Sequence, residues 1–163
     1  RRGGLDHVFA TAAGMDRQLP IESLQDKLPN RDRTLRGLTH HVFRISEAFL
    51  EACDGVELTA ALPVIPPTDD MQSFDAMADY GDTIRTRVAE WWAGLDDKSC
   101  QTRMKPYYGE PRMHEVLERT TWHTAQHVRQ IRMVLETRGV EPDRPLSEAD
   151  LQGLPVPEKV WDD

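Results

Sequence analysis

Apolar residues recur along this chain in steps of three and four, the spacing that places them on one face of a helix. Leu35, Leu38, Val42, Ile45, Phe49 and Ala52 form one such stripe. It predicts a helix from about Asp32 to Cys53, with Asn30 to cap its start and Gly55 to end it. A second stripe, Phe74, Met77, Gly81, Ile84, Val88, Trp91 and Leu95, predicts a helix over 74–95. A third carries Met113, Val116, Leu117, Thr120, Thr124, Val128, Ile131, Val134 and Leu135. Pro111 suits the first position of that helix, and Gly139 followed by Pro142 stops it after Arg138. A shorter helix, about Leu5 to Leu19, contains Gly14. Between the second and third helices lies a long loop, 55–73, marked by Pro63, Pro66 and Pro67. Loops of that length inside a domain are usually functional. The tail from Leu146 holds one helical turn before Leu154-Pro155-Val156-Pro157, with Trp161 as an anchor to the body. No apolar-polar alternation long enough for a strand is present. Four amphipathic helices must bury their stripes against each other, so the expected fold is all-α: a four-helix bundle with a long crossover loop and an irregular C-terminal tail.

Composition narrows the class. The chain has 163 residues, enough for one domain spanning 1–163, with 39% hydrophobic and 29% charged residues. No run approaches the ~20 apolar residues needed to cross a bilayer, so no membrane partner is expected. The net charge is −8, and residues 139–163 alone hold seven Asp or Glu against Arg144 and Lys159. A nucleic-acid partner calls for a basic patch, which this chain lacks. Cys53 and Cys100 are too few for a disulfide framework. Cys53 falls on an apolar stripe. Cys100 lies in a polar connection without a nearby partner, where it could be exposed. Both fit a reducing, cytoplasmic setting. The first residue is Arg rather than Met, so the expectation is a chain trimmed at its N-terminus, with sequence upstream.

The candidate chemistry is imidazole. His123 and His127 are four residues apart on the fourth helix, one turn along the same face, where both rings can reach one ion. At about 100° per residue, His127 lies about 40° and His123 about 80° from the centre of the apolar stripe. Interior histidines satisfied by a hydroxyl or carbonyl would explain the same phase. A shared metal ion satisfies both rings at once. Thr124 follows His123 where zinc proteases place a glutamate, so that motif is excluded. A third ligand comes from the second helix. His41 lies about 75° from its stripe centre and can turn inward, whereas His40 shares a side with Arg36, Arg44 and Glu47 and is expected in solvent. His7 and His114 read as surface or capping residues.

The run Leu38-Thr39-His40-His41-Val42-Phe43-Arg44-Ile45, the distant Thr121-Trp122-His123-Thr124-Ala125-Gln126-His127-Val128-Arg129-Gln130-Ile131 and the helix order between them resemble the DinB/YfiT-like superfamily. The resemblance spans about residues 5–139. It implies a four-helix bundle binding a divalent metal through one histidine of the second helix and an H-x-x-x-H pair of the fourth. Matched residue by residue, these are His41, His123 and His127. The ending, Pro145 to Trp161, is similar to a subgroup in which this domain follows a glutaredoxin-like domain.

What the resemblance implies about activity is a metal-dependent transferase using a low-molecular-weight thiol such as glutathione, acting on a small-molecule substrate. A hydrolase acting through metal-bound water and a non-catalytic, metal-stapled stress-response bundle stay open beside it. Imidazole ligands suit zinc, nickel and iron alike, with zinc first on availability. Gln126, Gln130, Tyr107 and Tyr108 are candidates to orient a ligand or hydrogen-bond a substrate. Arg129 is an anion partner only if it leaves the solvent, where its phase puts it. Trp122, Trp91 and Trp92 read as packing residues. Exposed bundle faces leave a homodimer open.

Overall fold

The computed structural model describes residues 2–29 and 32–161. Four long helices form the bundle: α1 (Arg2–Asp16), α2 (Leu35–Cys53), α3 (Phe74–Gly94) and α4 (Met113–Thr137). A single turn, α5 (Glu148–Leu151), lies in the tail, and among the described residues there is no strand beyond two isolated bridges. α1 and α2 each pack between α3 and α4. Arg17 meets Asp82 at 2.8 Å while Asp6 meets Arg85 at 2.6 Å, so α1 and α3 are antiparallel. His40 lies on Tyr80 and Phe49 on Trp91, so α2 and α3 run parallel. That direction explains the long loop: after α2 the chain must return the length of the bundle, about 28 Å for 19 residues, before α3 begins.

The helix ends differ from the expected ones by a few residues, for local reasons. α2 starts at Leu35, not Asp32, because the Thr34 hydroxyl accepts from the Gly37 amide. Asn30 lies outside the described residues. α4 starts at Met113 rather than Pro111; the Arg112 amide donates to the Glu115 carboxylate three residues on. Ser73 caps α3, and Gly139 ends α4 in the left-handed region at φ +74°.

The stripes meet in one core that includes Phe9, Phe43, Phe49, Leu38, Ile84, Ile131 and Leu135. Gly81 belongs to the α3 stripe because α2 approaches it there: a Cβ at Gly81 would stand 2.3 Å from the Phe43 ring. The tail is tied down as expected, with the Trp161 indole donating to the Met133 sulfur at 2.9 Å.

Phase misplaced the polar side of α2. His40 is 5% exposed and Arg44 4%, where both were expected in water. The reason is that the crossover loop lies along that side. Arg36 donates to the Met71 and Thr68 carbonyls, Arg44 to the Leu62 carbonyl, and Arg44 also pairs with Glu47 and, at 2.8 Å, with Glu51. Loop carbonyls without a ladder partner are satisfied by these side chains, so α2 is enclosed all round. Cys100 is likewise buried, at 3% exposure, and close enough to Cys53 to be felt by its thiol. Among the described residues no helix is long and apolar enough to cross a membrane.

Candidate functional site

α2 and α4, running antiparallel, enclose a cavity of about 290 Å³. α2 contributes His41, Ile45 and Phe49; α4 contributes Val116, Arg119, Thr120, Trp122, His123, Gln126, His127 and Gln130. The crossover loop closes one side through Leu58 and Pro63, Tyr107 and Tyr108 stand before α4, and Pro157 of the tail completes the wall. All three histidines selected from the sequence therefore border one space. So do Gln126, Gln130, Tyr107 and Tyr108. His40 does not.

Hydrogen bonds define the tautomers of two rings. His41 Nδ1 lies 2.8 Å from the Pro63 carbonyl oxygen, which can only accept. Nδ1 therefore carries the proton, and Nε2 is the lone-pair nitrogen. For His127 the chain of reasoning is longer. Gln130 Nε2 donates to the Val160 carbonyl at 3.0 Å, which turns Gln130 Oε1 towards His127 Nδ1 at 2.8 Å. His127 Nδ1 then donates to that oxygen. The two rings meet edge to face with centroids 4.8 Å apart. Burial, the nearby His127 and Arg33 hold the His41 pKa down to about 2, so its imidazole is neutral. His123 is held down to about 4 by burial and by Arg119.

His123 stands apart in one respect. Its ring lies against Trp122, centroids 3.9 Å apart. Among the described residues no three His, Cys, Asp or Glu side chains stand together as a ready ligand set for a metal ion. The donor chemistry nonetheless fits a metal: three imidazoles, two of them held through Nδ1 by a carbonyl-type acceptor, the arrangement that orients metal-binding histidines.

Compared with known proteins, the chain matches no protein-family model and no curated sequence.

Roles differ among the polar candidates. Gln130 touches His127 directly. Gln126 lines the cavity, but its amide nitrogen donates to the Lys159 and Val160 carbonyls. Arg129, expected in solvent, is half-buried and donates to the Gln126 side chain and to the Pro157 and Glu158 carbonyls. Together these residues hold the tail against α4, and an anion-binding role for Arg129 gives way to that clamp. Trp122 was expected to serve packing alone, and it also faces the cavity. Tyr107 is 54% exposed at the mouth. Behind it, the Arg119 guanidinium lies over the Tyr108 ring, 4.4 Å from its centroid.

Sequence reasoning missed Arg33 and Arg119. Arg119 sits four residues before His123 on the same helical face, and that spacing was a usable signal. Arg33 precedes α2 in irregular chain, where no periodicity could point to it. Neither cysteine lines the cavity. Burial, Asp54 and Cys100 push the Cys53 thiol up to about 12, so it is protonated at neutral pH.

Proposed function

We infer that this bundle is a metal-dependent enzyme of the DinB/YfiT type that transfers a low-molecular-weight thiol, such as glutathione, to a small-molecule substrate. The observation that carries the reading is the pair His41 and His127. His41 is neutral with Nε2 as its lone-pair nitrogen, His127 is oriented through Nδ1 by Gln130, and both border the cavity that His123 also lines. His41, His123 and His127 would hold the ion, zinc first and nickel or iron as alternatives, with His123 leaving its place against Trp122 to join the other two. A metal bound there would supply Lewis acidity and favour the thiolate form of a thiol at neutral pH.

The chain's own groups support transfer over hydrolysis. Metal-dependent hydrolases commonly use a carboxylate as general base beside the ion, and among the described residues no Asp or Glu lines this cavity. A thiol is acidic enough to react without such a base. Since neither Cys53 nor Cys100 lines the cavity, the nucleophile comes from outside the chain. Gln130 keeps the His127 ring in one tautomer, and the Pro63 carbonyl does the same for His41. Phe49, Ile45 and Val116 exclude water from one side. An upstream glutaredoxin-like domain, as the ending suggests, would be a fitting neighbour for a thiol-using enzyme.

Conjugation of glutathione to a soluble electrophile, followed with zinc-loaded and chelator-treated protein, tests this. Turnover should require both metal and thiol. Turnover that survives chelation, or that proceeds without thiol, would remove the reading.

A further inference from the structure

The chain carries 28 Asp and Glu against 20 Lys and Arg, yet among the described residues both charged side chains on the cavity wall, Arg33 and Arg119, are positive. Much of the rest is apolar or aromatic, with Ile45, Phe49, Val116 and Trp122 prominent. The Arg119 guanidinium carbon lies over the Tyr108 ring, 4.4 Å from its centroid. A guanidinium seated over an aromatic ring still has N–H groups to offer, and two parallel N–H···O bonds to a carboxylate match its planar fork. In a pocket partly shielded from water, such a bond is stronger than at the surface.

We propose that this cavity binds a small organic monocarboxylate, its carboxylate on Arg119 and its apolar or aromatic body against Trp122 and Phe49. A volume of about 290 Å³ lies at the small end of ligand pockets and suits a body of one aromatic ring with a short chain. A phosphate calls for a cradle of several N–H donors, which this largely apolar wall does not provide. The proposal names the substrate class of the site read above, but it needs no metal.

The test is calorimetry and ligand-observed NMR with benzoate, phenylacetate and 3-phenylpropionate, each paired with its neutral amide, and with inorganic phosphate. It is run on chelator-treated and on zinc-loaded protein. At least one acid should bind tenfold or more tightly than its amide, as a charge-assisted hydrogen bond requires. Arg119→Gln should bring acid and amide within about twofold, with Arg119→Lys between. The proposal is overturned if no acid binds, if acids and amides bind alike, if phosphate binds more tightly than every acid, or if folded Arg119→Gln keeps the preference. The wild-type acid and amide comparison decides the matter should the variants not fold. Acid-selective binding without thiol-dependent turnover would sink the transferase reading alone; turnover without acid selectivity would sink this one alone.

Discussion

Asp16 closes α1 with both carboxylate oxygens buried and without a hydrogen-bond partner. Burial raises its pKa well above the usual 3.8, and the neighbouring Arg17 offsets only part of that. An acid that is harder to ionise in the folded chain makes folding least costly when it is protonated in both states. The stability is therefore full below about pH 4 and is lost as pH rises through the folded pKa. Asp16→Asn removes this dependence. Its melting temperature should exceed that of the wild type at pH 7–8, and the gap should close towards pH 4 in parallel thermal scans; an unchanged gap would refute the assignment. His40 carries the opposite sign. Burial and Arg44 hold it down to about 4 from 6.5, so its contribution is present above pH 6.5 and is lost as pH falls through 4. Its ring stacks on Tyr80 at 4.9 Å and 10°. His40→Ala should cost roughly 1–3 kcal/mol in chemical denaturation, as a buried large-to-small change does, and His40→Phe should recover most of it by keeping the stack.

Gly81 sets how closely α2 and α3 approach. Ala is the better helix former, but its methyl would stand where the Phe43 ring lies. Overpacking of this kind costs about 1–3 kcal/mol, so Gly81→Ala should lower the melting temperature by several degrees instead of raising it. On α4 the element that matters is the clamp joining Val160 through Gln130 to His127. Gln130→Leu keeps the volume and removes the acceptor of His127 Nδ1–H. Metal affinity, measured by competition with a chelator of known affinity, should fall about 10–100-fold; an unchanged affinity would show that Gln130 does not position the ring. The four helices were legible because Leu38, Val42, Ile45 and Phe49, or Val128, Ile131 and Leu135, repeat a period that survives in any single sequence. The cavity's His41, His123 and His127 were legible for the same reason: each lies at the edge of such a stripe. The burial of His40 and Arg44 was not. It depends on where the crossover loop settles, and Leu62, Met71 and Thr68 act there through backbone carbonyls that carry no side-chain signature. Arg33 and the carbonyls of the tail escaped for that reason too.

For the whole molecule, an acidic chain surrounds a pocket walled by two arginines, three histidines and apolar side chains. A ligand bound only to the folded state raises the melting temperature by mass action, so zinc should stabilise the chelator-treated protein and the carboxylates above should do so independently of it. We propose that α2 and α4 share one ion through His41, with His40 facing away to Tyr80. Adjacent residues on a helix point about 100° apart, so the two neighbours cannot serve the ion equally. Metal content of the wild type, His41→Ala and His40→Phe, each purified folded from zinc-supplemented medium, tests this most directly. Close to one ion per chain is expected in the wild type and in His40→Phe, and nearly none in His41→Ala. A wild type without metal, or an ion lost from His40→Phe and kept by His41→Ala, would contradict it.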